Sequence, residues 1–395
     1  MRRLLIALAV VAAGPHPRAA AGPGPKLPGQ YLGLPNSVKL YPYVDVSPET
    51  ERQVIVDRQP GHYLGHPSTV LLEDGRTLLC VYPHGHGKGG IVLKRSTDGG
   101  LTWSDRLPVP ANWSTSLETP TIHRVIDAAG KKRLIVWSGL YPARRSLSED
   151  DGRTWTPLAA AGDWGGIVTM GSLAAVRDQP GHYLAWFNDD GRFIAAEPHQ
   201  TTPVAFTIYQ VETKDGGVTW SHPNAIASRS DLLLCEPGFV RSPNGKQIAL
   251  LLREETHNNL SQLILSNDEG RSWSEPLPLA VTLVGDRHVA AYAPDGRLVV
   301  VFRDTNRASP TNGDWLGWVG TYDDLVRGAP GAYRVRLMEN HFGWDCGYSG
   351  LHALPDGTFV ATSYGHWTKG EEPYIVSVRF TLAELDAKLA AKPRP

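Results

Sequence analysis

Past its first two dozen residues the chain alternates short apolar runs with clusters of Gly, Asp, Asn and Pro. Runs such as Ile91 to Arg95 and Gln247 to Leu252 have strand length, and helical spacing is nearly absent until Leu382 to Ala391. Asp74-Gly75, Asn244-Gly245, Asp295-Gly296 and Asp356-Gly357 each separate two strand-like runs, as hairpin turns do. Six segments precede such hairpins: His66 to Leu72, Glu118 to Val125, Ile167 to Val176, Glu236 to Arg241, His288 to Tyr292 and Tyr348 to Leu354.

A second signal interleaves with the first. Ser96-Thr-Asp98-Gly-Gly100-Leu-Thr102-Trp103 returns around Asp150 and Trp155, around Asp215 and Trp220, and around Asp268 and Trp273. Thr321-Tyr322-Asp323-Asp324 is a candidate eroded fifth copy. In each copy the Asp can accept backbone N–H groups across the turn, Gly supplies positive φ, and Trp packs between sheets. A repeat of this length with six inner strands predicts an all-β fold, a six-bladed β-propeller of four-stranded blades, with seven blades the alternative. Gln53 to Asp57 is expected to complete the last blade and close the ring.

Met1-Arg2-Arg3, the apolar run Leu4 to Ala13 and the small residues Ala19 to Ala21 have the form of a signal peptide. The expected organisation is a leader over 1–24 and one propeller domain over 25–395, ending in a short helix and exported as a secreted or periplasmic protein. No apolar stretch reaches the roughly 20 residues of a membrane span. With 39 basic and 40 acidic side chains the chain lacks the basic excess of a nucleic-acid binder. Cys80, Cys235 and Cys346 allow at most one disulfide and show no C-x-x-C spacing.

The S-x-D-x-G-x-T-W repeat is the Asp box, and four copies at this spacing resemble the sialidase superfamily over nearly the whole mature chain. The resemblance implies that the boxes, with Asp98, Asp150, Asp215 and Asp268, are structural and face away from the site. It also implies a funnel where a Tyr activated by a Glu attacks the sugar, an Asp is acid/base, and three arginines hold a carboxylate. Leu234-Cys235-Glu236-Pro237 resembles the segment with the family's Glu, Gly347-Tyr348-Ser349-Gly350 that with its Tyr, and Arg253 its second arginine. Arg287 and Arg303 compete for the third. Two positions depart: His66 stands in place of the first arginine, and the loop Pro83 to Lys88 holds His84 and His86 but no carboxylate.

Paired histidines suit acid/base chemistry near neutral pH. His66 and His86 on the first hairpin, with an arginine one blade later, resemble the propeller lyases of ulvan and of rhamnose–glucuronate chains. In that reading His66 or His86 abstracts the proton α to a uronate carboxylate, and Arg145, next to Arg144, neutralises the enolate. Tyr348 and Glu236 assist. Arg253, Arg287, His288, Glu118, Asp345 and Tyr141 are candidate substrate-binding residues. Elimination at an acidic oligo- or polysaccharide is the favoured expectation, with a sialidase-like hydrolase using Tyr348 as first alternative and a non-catalytic glycan-binding propeller as second. No cofactor motif is present; His66, His86, Cys235, His288 and Cys346 are the side chains with zinc-ligand chemistry that the ring can gather. A monomer with no nucleic-acid partner and no membrane span is expected.

Overall fold

The computed structural model describes residues 41–194 and 206–391, so the expected leader lies outside the described residues. Its strands form six sheets, antiparallel except for one edge strand. Their first strands are Ser68–Leu71, Thr121–Ile126, Ile167–Ala175, Leu234–Arg241, Gly285–Tyr292 and Ser349–Ala353. Each packs against the next, and the sixth returns to the first, so the sheets are the blades of a closed six-bladed propeller. Closure removes the open edges that a flat sheet would expose.

The ring closes as the sequence predicted. Gln53–Asp57 pairs antiparallel with Tyr374–Phe380 and becomes the outer strand of the sixth blade. Tyr43–Asp45 adds in parallel to Tyr333–Met338 and gives the fifth blade a fifth strand. The first blade has three regular strands. Its fourth position is taken by a looser edge, where Ser104 and Leu107 donate backbone hydrogen bonds to the Arg95 and Leu93 carbonyls.

The core lies between blades rather than inside any one of them. Leu79 and Val81 of the first blade meet Leu134 and Val136 of the second, and Val299 and Val301 of the fifth meet Phe359 and Ala361 of the sixth. The box tryptophans fill these seams: Trp155 packs edge-on to Trp113 at 5.2 Å, Trp220 to Trp137 at 5.0 Å and Trp273 to Trp186 at 6.0 Å.

Each Asp box is one hydrogen-bonded knot. In the second, Ser148 Oγ donates to Asp150 Oδ1 at 2.8 Å while accepting from the Gly152 N–H. The Arg153 and Thr154 N–H groups also donate to Asp150 Oδ1, at 3.0 and 2.9 Å. Gly152 takes φ of 80° there, and a Cβ on it would meet Leu79 at 2.4 Å, so only glycine fits. The candidate fifth box is not one. Thr321 and Asp324 instead form a capping box on the helix Tyr322–Val326, and Thr381 and Glu384 do the same for Leu382–Ala390. Among the described residues no helix is long and apolar enough to cross a membrane.

Because strands alternate in direction, the starts of the first strands and the ends of the second strands share one mouth of the ring. The boxes and hairpin turns lie at the other. Asp150→Ala should therefore lower stability by about 1–3 kcal/mol, the worth of hydrogen bonds to a charged acceptor, in urea unfolding, and leave ligand binding at the opposite mouth unchanged.

Candidate active site

A cavity of about 390 Å³ opens at the mouth where the first strands begin, lined among others by His66, His86, Glu118, Glu236, Arg253 and Tyr348. Four first strands approach it through a non-glycine residue with left-handed φ: His66 at 55°, Val168 at 48°, Glu236 at 51° and Arg287 at 56°. At three of these the ladder slips register, between Ile167 and Ser172, Cys235 and Gly238, and Asp286 and Val289. Such a bulge re-aims a side chain, at a strain of ~1–3 kcal/mol for each such residue that the surrounding packing must offset.

The cavity floor holds a buried phenol–carboxylate pair. Tyr348 donates its hydroxyl proton to Glu236 Oε1, which also accepts from Arg253 Nη1 at 2.9 Å, and Glu236 Oε2 is buried with no partner. The Glu236 backbone N–H is tied to Asn188 Oδ1 at 3.1 Å. Burial first, then the Glu236 charge, holds the Tyr348 phenol well above its ordinary pKa, so it is protonated at rest.

His66 is 5% exposed and packs against Tyr348 and Tyr364 at 4.5 Å between ring centres. Tyr364 donates to Asp345 at 3.1 Å, so the network assigns the proton on His66 to Nε2, 3.1 Å from the Tyr364 oxygen. Nδ1 is left as a bare lone pair. Burial, then the neighbouring His86, pushes this imidazole down to about 3, so it is neutral at physiological pH. His86 is the opposite case: its side chain is 64% exposed on the rim, 5.0 Å from His66 ring to ring, with Nδ1 3.8 Å from Asp345.

Asp345 does not line the cavity; it braces the rim. It accepts from Tyr63 at 2.6 Å and lies 3.2 Å from His366 Nε2. Burial works to raise its carboxyl, but the His366 and Tyr63 hydrogen bonds bring it down to about 2. Beside the floor, fully buried Asp286 faces Arg303 Nε at 2.9 Å, Arg253 Nε at 3.2 Å and His257 Nε2 at 2.9 Å. Burial again favours the neutral acid, and Arg253 and Arg303 overcome it, holding Asp286 ionised far below the ordinary carboxylate range. The remaining Arg253 nitrogen is 2.8 Å from Glu255. Arg287 is 7% exposed and has no hydrogen-bond or ion-pair partner among the described residues; its guanidinium lies 5.6 Å from the Tyr348 ring centre.

Three expected positions are corrected. Arg145 sends its guanidinium along the seam to the Val218 carbonyl beside the third Asp box, and Tyr141 is held on the surface by Asp163. His288 turns into the wall, 2.8 Å from the Leu283 carbonyl and stacked on Phe302, and across the bulge before Val289 it is Arg287 that lies beside the Tyr348 ring. His84 points away to Gln59, and Cys80, Cys235 and Cys346 are free and buried. Among the described residues no group of three or more His, Cys, Asp or Glu side chains is placed to hold a metal ion.

Tyr63, Asn188, Glu255, His257, Tyr364 and His366 belong to the site and were not singled out in the sequence. Most of them fall at or just after the end of a second strand, which is the signal that could have found them.

A family model described as BNR repeat-like domain matches residues 133–338. No curated protein matches the chain in sequence. Among solved structures, a Dyadobacter fermentans protein of unknown function superposes with a TM-score of 0.64 at 14% identity, over 83% of this chain and 97% of that one. A Hadza microbial sialidase gives 0.58 at 18% identity over 82% of this chain, which spans 66% of that protein's length. The intramolecular trans-sialidase of Ruminococcus gnavus gives 0.55 at 13% identity, over 84% and 96%. At these identities the likeness is one of fold, and with the family match covering more than half of its length the chain belongs to the BNR repeat-like domain family, built as a six-bladed propeller of the sialidase type.

Proposed function

We propose that this protein is a carbohydrate-active enzyme that cleaves a glycosidic bond, with Tyr348 as nucleophile, Glu236 as its base and His86 as general acid. The observation that carries the reading is the buried Tyr348–Glu236 hydrogen bond at the cavity floor. A phenol held this far above its ordinary pKa does not ionise alone, and a carboxylate already accepting its proton supplies the base. Tyr348 Oη bonds to the anomeric carbon as the exocyclic C–O bond breaks. The phenol proton passes to Glu236, and His86 protonates the leaving oxygen. Water then attacks the same carbon, gives its proton to His86, and Tyr348 recovers its own from Glu236. Imidazole is suited to both directions of this transfer, and rim exposure gives His86 access to the leaving group and to water.

Elimination is the second reading, favoured by the His66–His86 pair with its unpartnered Nδ1. It loses Arg145 as neutralising cation, and Arg287 takes that role. A glycan panel followed by reducing-end release and by ultraviolet absorbance of an unsaturated uronate separates the two. Release without absorbance is expected. Absorbance establishes the lyase, and silence in both leaves a glycan-binding propeller.

In a released-sugar assay, Tyr348→Phe should lower kcat by at least ~10³-fold and His86→Gln by about 10²–10⁴-fold. Retention of activity in Tyr348→Phe with loss in His66→Ala would mark elimination. Glu118, beside Glu236 in the cavity, also sets a pH limit. Burial raises its carboxyl to about 7, and the Glu236 charge adds to this against the pull of the Thr119 hydrogen bonds. It is a neutral acid below that value and a second negative charge above it. Activity should therefore fall as pH rises through about 7, and this limb should vanish from the pH–rate profile of Glu118→Gln.

A further inference from the structure

The cavity is lined by residues of the first four blades and, from farther along the chain, by Tyr348. Beyond Tyr348 the mouth carries the turn His341 to Asp345, which joins the fifth blade to the sixth. That turn presents Phe342, which is 62% exposed and the only exposed phenyl, phenol or indole ring among the described residues. A lone exposed apolar side chain is ordinary, but this one is held in place. The Asn340 amide donates to the Phe342 and Gly343 carbonyls at 3.2 and 3.1 Å, and its oxygen accepts the His366 N–H at 3.0 Å. Trp344 anchors the far side of the turn, with its indole N–H 3.1 Å from Asn312 Oδ1 and its ring edge-on to His257 at 5.0 Å. The Phe342 ring rests against His366, 4.8 Å between ring centres. His366 is 3.2 Å from Asp345, and Asp345 is 3.8 Å from His86. Three successive contacts thus lead from the proposed general acid to an exposed aromatic ring.

We infer that Phe342 is the platform on which the sugar of the leaving group stacks, so that the protein acts on di- or oligosaccharides with a pyranose beyond the scissile bond. The inference rests on the glycosidic reading above. The oxygen that His86 protonates belongs to the leaving group, so that sugar emerges from the cavity past His86. On the side of Asp345, the surface it meets next is His366 and Phe342. A pyranose has an apolar C–H face, which an aromatic ring covers with a large contact area. Asn340 and Trp344 already fix the turn, so little ordering is left to oppose the contact. Stacking of this kind is indifferent to the hydroxyls around the ring. Phe342 therefore demands a sugar ring at this place without specifying its charge or its linkage.

In turnover, the informative quantity is the ratio of kcat/KM for an oligosaccharide to that for the methyl glycoside of the same transferred sugar. This ratio should fall about tenfold in Phe342→Ala, through KM rather than kcat, and return in Phe342→Trp. An unchanged ratio, or a fall that Trp does not restore, overturns the proposal. A second measurement needs no turnover. The chain has 8 phenylalanines, few enough to resolve by fluorine NMR after labelling with 4-fluorophenylalanine. The signal missing from Phe342→Leu should shift when cellobiose or lactose is added and stay still with glycerol, which has no ring. A signal that ignores both disaccharides, or follows glycerol equally, overturns the proposal. Should no glycoside be cleaved, the glycosidic reading fails by itself, and the fluorine titration alone decides whether Phe342 binds a sugar.

Discussion

A carboxylate buried beyond the reach of water between two guanidiniums holds the mouth of this propeller together. Asp286 stands on the fifth blade, Arg253 on the fourth and Arg303 on the second strand of the fifth, and Arg303 reaches the Trp344 and Cys346 carbonyls just before the sixth. Arg253 also positions Glu236, and Glu236 positions Tyr348. One ion cluster thereby fixes the relative position of three blades and of the Tyr348–Glu236 pair. An isolated buried charge is prohibitively unfavourable, whereas this one is compensated on every side. Losing one member would leave its partners uncompensated, with a penalty of ~3–5 kcal/mol for a broken buried pair.

The second constraint is backbone geometry. An inner strand of regular pleat sends alternate residues to the two seams beside it, where the tryptophans and aliphatic side chains of neighbouring blades meet. Left-handed residues at His66 and Glu236 break that alternation and turn polar side chains into the cavity. The strain is tolerated because the blades below are packed on both faces and locked at their far ends by the Asp boxes. Stability and chemistry are thus separated by the length of a strand: the knots lie at one mouth, the site at the other.

The two imidazoles show how environment divides one side-chain type into two roles. His66, enclosed by Tyr348 and Tyr364, is pushed down to about 3 and serves as a neutral wall and hydrogen-bond partner. His86 stands on the exposed rim, with Nδ1 3.8 Å from Asp345 and its ring open to solvent. Asp345 ties both to the sixth blade through Tyr63, Tyr364 and His366.

The repeat was legible in the sequence because an Asp box is made by residues within a single turn, as Ser148, Asp150, Gly152 and Thr154 show. The hairpins, the closing strand Gln53–Asp57 and the last helix were legible for the same reason: their signals are local. Tyr348 and Glu236 stand out because their segments resemble those of the sialidase superfamily and lie near the start of a first strand, where the blade order brings them together. What the sequence did not reveal was direction. Arg145 and His288 have the right chemistry at nearly the right positions, yet one runs down a seam to Val218 and the other turns into the wall at Leu283. The fate of Asp286 was hidden too, since its partners come from separate strands and loops. Composition and turn chemistry specified six blades and the mouth that carries the site. Only the packing of blade against blade, with the bulges it sustains, decided which side chains face the cavity and which charges are already spent, because those depend on groups far apart in the chain.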